Sequence, residues 1–121
     1  MSETSSNRPG ILRSAGSLAA LLRAREDLRV VAPATSKQAL IEAIYRAVDA
    51  PPYAAANYDA LADVLGDLEW LAPGPVRLAW APSARLPAAV HLQVLEIMTD
   101  ATRESEGRAR PLQVYLLDTI D

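Results

Sequence analysis

The sequence predicts an α/β domain, a three-stranded parallel β-sheet packed with helices, on two observations. Three apolar runs of strand length, residues 28–32 (LRVVA), Val76–Trp80 (VRLAW) and 112–117 (LQVYLL), are spread along the chain. Between them lie segments whose apolar residues recur at helical spacing. Strands that alternate with helices pack as a parallel sheet covered by those helices.

Each element has a local reason. Residues 1–9 are polar and are read as a mobile N-terminus, leaving residues 10–121 as a single domain. Residues 10–13 (GILR) suit a short edge strand, and Ser17 is placed to cap a short amphipathic helix, LAALLRARE. After 28–32, Pro33 ends the strand. Ser36 then caps a helix with Leu40, Ile41, Ile44, Tyr45 and Val48 on one side. Asp49-Ala50-Pro51-Pro52 breaks it, and Asn57 caps the next helix, which runs to about Asp67. Ala72-Pro73-Gly74-Pro75 is a turn before Val76–Trp80. A long helix over about 88–105 carries Val90, Val94, Leu95, Ile97 and Met98 on its apolar side, and Gly107 stops it before the last strand. Trp80 and Tyr115 fall in strands and are read as core.

Composition narrows the function. At 121 residues with half of them apolar, the chain is one ordinary globular domain. It has no cysteine, so neither disulfides nor thiolate metal sites are available. No apolar run is long enough for a membrane span. The opening MSETSSNRPG lacks the layout of a secretory signal, so a cytoplasmic location is expected. Residues 1–30 hold five basic and three acidic groups, whereas residues 31–121 hold seven basic and twelve acidic ones. Direct nucleic-acid binding needs a basic footprint and is not expected; a basic protein partner is.

The acids are concentrated. Between Ala47 and Val76 there is no lysine or arginine, but Asp49, Asp59, Asp63, Asp67 and Glu69 all fall there. At about 100° per residue, Leu61, Val64, Leu65 and Leu68 share one side of the 57–67 helix. Asp59, Ala62, Asp63, Gly66 and Asp67 share the other. Like charges four apart on a helix are mildly destabilising. A solvated face and a binding surface are both consistent with this pattern.

The motif Tyr53-x-x-x-Asn57-Tyr58-Asp59-Ala60-Leu61-x-Asp63-x-Leu65, followed by VRLAW and by ATRESEG with LQVYLL, resembles the barstar family of intracellular inhibitors of small guanyl-specific ribonucleases. The resemblance runs from about Leu28 to Leu117. It implies a barstar-like fold with no enzymatic activity and no cofactor. The implied partner is a basic, extracellular-type ribonuclease bound by a monomeric bacterial protein. The implied contact residues are Tyr53, Ala56, Asn57, Asp59, Ala62, Asp63, Gly66, Asp67 and Asp100. Among them, Asp63 would be the central anchor at the nuclease's phosphate site, and Asp59 would meet basic groups on the guanine-site side. Tyr53 would pack on the nuclease histidine loop, Asn57 would cap the helix, and Asp100 would add a peripheral ion pair. The chain departs from the family at Ala54, where a second tyrosine is usual, at Ala55, usually glycine, and at Ala62, often tryptophan.

Other chemistry is thin. His91 is the only histidine and reads as an ordinary helix-face residue. There is no nucleophile elbow and no phosphate-binding glycine loop. Two carboxylates one turn apart on a convex helix do not form a glycosidase pair. Arg103, Arg108 and Arg110 read as a solvated helix end. An immunity or antitoxin protein against another basic toxin, or an interaction module with no nuclease partner, are the alternatives to a ribonuclease inhibitor.

Overall fold

A computed structural model describes residues 11–25 and 27–119. The readings of residues 1–9 as mobile and of Gly10 as a strand start lie outside them. The elements in order are β1 (Ile11–Ser17), α1 (Leu18–Ala24), β2 (Arg29–Val30), α2 (Lys37–Ala47), α3 (Tyr58–Asp67), β3 (Val76–Trp80), α4 (Ala88–Ser105) and β4 (Leu112–Thr119). Among the described residues four strands form one sheet in the order β1-β4-β3-β2, and every neighbouring pair is parallel. The expected three strands form the run β4-β3-β2, and the edge strand read at residues 10–13 joins beyond them as β1, longer than anticipated.

Alternation along the two inner strands sorts the sheet into two faces. Val76, Leu78 and Trp80 with Leu112, Val114 and Leu116 are buried against Ile41, Ile44, Leu61, Leu65, Val94 and Met98, which come from α2, α3 and α4. The register sets Trp80 beside Leu116 and Leu78 beside Val114. On the opposite face Ala79 and Leu117 pack with Leu18 of α1, and Leu21 and Leu28 lean on them. A seven-residue helix covers only part of that face. The remainder is polar: Arg77 donates to Gln113 through Nε at 3.1 Å and to Asp27 through its terminal nitrogen. The Arg25 guanidinium lies 5.8 Å from the Tyr115 ring centroid. Tyr115 is therefore half-buried on the polar face, whereas Trp80 is core.

The caps at Ser36 and Asn57 act as the sequence predicts. Ser36 Oγ accepts from the Ala39 N–H at 3.2 Å, and Asn57 Oδ1 accepts from the Ala60 N–H at 2.8 Å. Gly107 takes φ 79°, a left-handed conformation in which an L side chain is strained, just past α4. Two threonines and a serine on the buried side of α4 donate back to its own turns: Thr99 to the Leu95 carbonyl, Thr102 to that of Thr99, and Ser105 to that of Thr102. Ser105 also accepts from the Leu112 N–H at 2.8 Å, tying the helix end to the start of β4. Among the described residues no helix is long and apolar enough to cross a membrane.

Candidate partner-binding surface

The surface is built where α2 gives way to α3. The connecting turn is fixed mainly by hydrogen bonds to its backbone. Asp49 takes φ 55°, and its carboxylate pairs with Arg29 at 3.0 Å while the same guanidinium donates to the Ala47 carbonyl. The Ala50 N–H donates to the Tyr45 carbonyl, that of Ala54 to Pro51, and that of Asn57 to Ala55. Pro51 and Pro52 add fixed backbone torsions. Two long side chains reach in from outside. The Trp70 indole N–H donates to the Val48 carbonyl at 2.8 Å, and the Tyr45 hydroxyl donates to that of Ala55 at 2.7 Å.

From this turn α3 starts with Asn57 as its cap. Leu61, Val64 and Leu65 are buried, while Asp59, Ala62, Asp63, Gly66 and Asp67 all face solvent. The helix ends on Leu68, not glycine. Leu68 holds φ 55° with only 1% of its surface exposed. The left-handed conformation costs about 1–2 kcal/mol for a residue with a Cβ, and burying a leucine returns about 1.5–3 kcal/mol. The reversal aims Glu69 and Trp70 back toward the acidic face.

The result is a groove of about 340 Å³ lined by Pro51, Tyr53, Ala54, Asp63, Val64, Asp67, Glu69 and Trp70. Tyr53 is the most exposed large apolar side chain of the described residues, at 87%. Among the described residues none of Asp59, Asp63, Asp67 and Glu69 forms an ion pair. Lys37 lies over the Tyr58 ring at 4.1 Å, joining the starts of α2 and α3. Arg108 and Arg110 stand on the far side of Asp67 and Glu69.

Of the residues singled out from the sequence, the structure brings Tyr53, Asp63 and Asp67 to this one groove. Asp59, Ala62 and Gly66 continue along the same exposed face. Asn57 shapes the entry as helix cap. Ala56 lies half-buried on the other side of the turn, in a separate groove with Tyr45. Asp100 stands apart on α4, exposed and paired with Arg103 at 3.5 Å. The α4 helix does pack on α3, with the Glu104 carboxylate about a methyl group's reach from Gly66.

Several residues have roles the sequence pattern did not give them. Tyr45, grouped by spacing with the core of α2, is only half-buried and spends its hydroxyl on the turn. Glu69 and Trp70 join the groove only because of the Leu68 reversal. Arg110 is no solvated helix end: its Nε donates to the Leu71 carbonyl at 2.6 Å and clips the loop after α3. His91 is more than a free helix-face residue, its ring lying tilted against Trp80 at 5.3 Å. Among the described residues no three histidine, cysteine or acidic side chains are grouped to hold a metal ion.

No curated protein and no solved structure matches the chain. The family model described as Barstar (barnase inhibitor) matches residues 29–117, from β2 into β4 and across the whole of the acidic surface. With its parallel sheet, its covering helices and that match over most of its length, the chain belongs to the Barstar family.

Proposed function

We propose that this protein is a stoichiometric inhibitor of a small, basic, guanyl-specific ribonuclease, acting as a monomer and occupying the nuclease active site with α3 and the turn before it. The observation that carries the reading is the row of carboxylates, Asp59, Asp63 and Asp67, along one exposed helix face, without an ion pair among the described residues and flanked by the exposed ring of Tyr53. A ribonuclease active site is lined with cationic donors that hold phosphate. A carboxylate can take that phosphate's place with charge-assisted hydrogen bonds. In this reading Asp63 is the anchor at the phosphate site, Asp59 meets cations at the guanine side, and Tyr53 supplies the apolar contact. Ala62 and Gly66 let the partner backbone come close, Ala56 supports the turn from its other side, and Asp100 adds a contact at the rim.

Family membership supports inhibition of a barnase-type enzyme as the class of function. A second reading has its own observation. Ala54, Ala55 and the exposed Ala62 replace the larger or more flexible residues usual in the family, removing contact surface while the charges remain. That pattern suits an immunity protein retargeted to a different basic toxin. Titrating barnase activity with the purified protein, alongside capture of the native partner from a lysate, separates the two. One-to-one loss of nuclease activity supports the first reading. Capture of a different basic toxin with barnase unaffected supports the second.

A further inference from the structure

Position 54, where the family resemblance leads one to expect a second tyrosine, is alanine, yet a phenol still serves this turn. It comes from α2. Tyr45 lines a groove of about 540 Å³ together with Ala54 and Ala56, and its ring packs against the main core. Its hydroxyl donates to the Ala55 carbonyl at 2.7 Å, and the same carbonyl accepts the Asn57 N–H at 3.0 Å. A carbonyl oxygen has two lone pairs, so both bonds are made at once. Asn57 in turn caps α3 by accepting from Ala60. A continuous chain of hydrogen bonds thus runs from α2 through the turn into the first residues of the acidic helix. The phenol is kept as a donor: burial, and then the nearby Asp63 carboxylate, raise its pKa above the ordinary 10.0.

We propose that Tyr45 is a positioning residue for partner recognition: its hydroxyl fixes residues 54–57, so that Tyr53 and α3 are presented in their binding arrangement before the partner arrives. This rests on the reading of the 53–67 surface as the recognition surface. The physical argument is one of populations. Tyr53 is 87% exposed, so little side-chain packing holds it and the backbone on either side of it must do so. If the turn samples other conformations, only the competent fraction binds. The apparent affinity and the association rate then fall by that fraction, while the formed complex dissociates as before. One ordinary net hydrogen bond shifts the ratio of non-competent to competent turn by about fivefold, so the competent fraction falls by at most that factor.

The test is Tyr45→Phe, which keeps the ring and removes the hydroxyl. In the free protein, amide exchange at Asn57 is expected to speed up about fivefold while amides of α4 and β3 keep their rates. With barnase as the probe, association is expected to slow measurably, by up to about fivefold, by the same factor at low salt and at ~0.5 M salt, with dissociation unchanged. A factor that vanished in salt would mark a charge effect and overturn the proposal. Unchanged exchange at Asn57 would overturn it in the free protein. Faster exchange with unchanged association would overturn the link to recognition. If the wild-type protein does not bind barnase, the ribonuclease-inhibitor reading fails by that result alone, and the exchange measurement still decides whether the Tyr45 hydroxyl holds the turn.

Discussion

Replacing Asp63 by alanine is expected to make the free protein more stable. Asp63 sits in the middle of a ten-residue helix with Asp59 one turn before it and Asp67 one turn after it. Among the described residues it has no ion pair, and its side chain is exposed. Each like-charge pair at this spacing costs about 0.2–0.5 kcal/mol, so removing the shared member relieves roughly 0.4–1 kcal/mol. Alanine is also the better helix former by up to about 0.7 kcal/mol. Nothing of comparable size opposes these terms. The sum is about 1 kcal/mol of added stability. At about 2.1 cal/mol/K of unfolding entropy per residue, a chain of 121 residues should melt roughly 4 °C higher. Thermal melts by circular dichroism at low and at ~0.5 M salt measure this, and the electrostatic part should shrink in salt. A variant melting below the wild type would refute the reasoning and assign Asp63 a structural partner.

Gly66→Ala should stabilise the fold by about 0.5–1 kcal/mol, because Gly66 lies inside α3 and its added methyl meets only the Glu104 carboxylate at 4.0 Å; a lower melting temperature would contradict that. Asp27→Asn should abolish an acid-sensitive contribution. Burial acts to raise the Asp27 pKa, but the Arg77 hydrogen bond, its own backbone N–H and the charges of Arg77 and Arg25 together hold it below 3.8. A carboxyl depressed in the folded state stabilises above its unfolded pKa. The melting difference between wild type and variant should therefore be constant above about pH 5 and shrink as pH falls below 3.8; a difference as large at pH 2 as above pH 5 would refute it. Association with a basic ribonuclease should slow strongly between low salt and ~0.5 M salt while dissociation changes little, and a salt-independent on-rate would argue against a steered encounter.

What the sequence made legible was local. Ser36 and Asn57 announce their helices because a cap is a contact between residues three apart, and α3 and α4 have the bounds that capping, periodicity and Gly107 imply. The exposed acid row follows from helix geometry alone. The features that complete the surface come from longer range. Trp70 reaches Val48 across 22 positions and Arg110 reaches Leu71 across 39, and no periodicity encodes such pairs. The spacing of Tyr45 is that of a core residue; only the path of the 51–56 turn turns its hydroxyl to Ala55. The reversal at Leu68 was hidden for another reason. A left-handed leucine violates the usual preference for glycine, and its burial compensates locally. The N-terminal strand was foreseen as an edge, but its parallel pairing with β4, the last strand in the chain, is a matter of topology.

The most direct test of the account compares the inhibition constants of Asp63→Ala and Asp100→Ala against one ribonuclease that the wild-type protein inhibits. Asp63 lines the groove at the middle of the acidic face, whereas Asp100 is exposed on α4 and already paired with Arg103. Removing a central carboxylate strands cations of the partner in a desolvated interface and should cost about 2–5 kcal/mol. Removing a screened rim charge should cost less than about 1 kcal/mol. The account predicts a loss of at least about fivefold for Asp63→Ala beyond that for Asp100→Ala, with both variants folded. Equal inhibition by wild type and Asp63→Ala would contradict it and leave the acidic row as a solvated face.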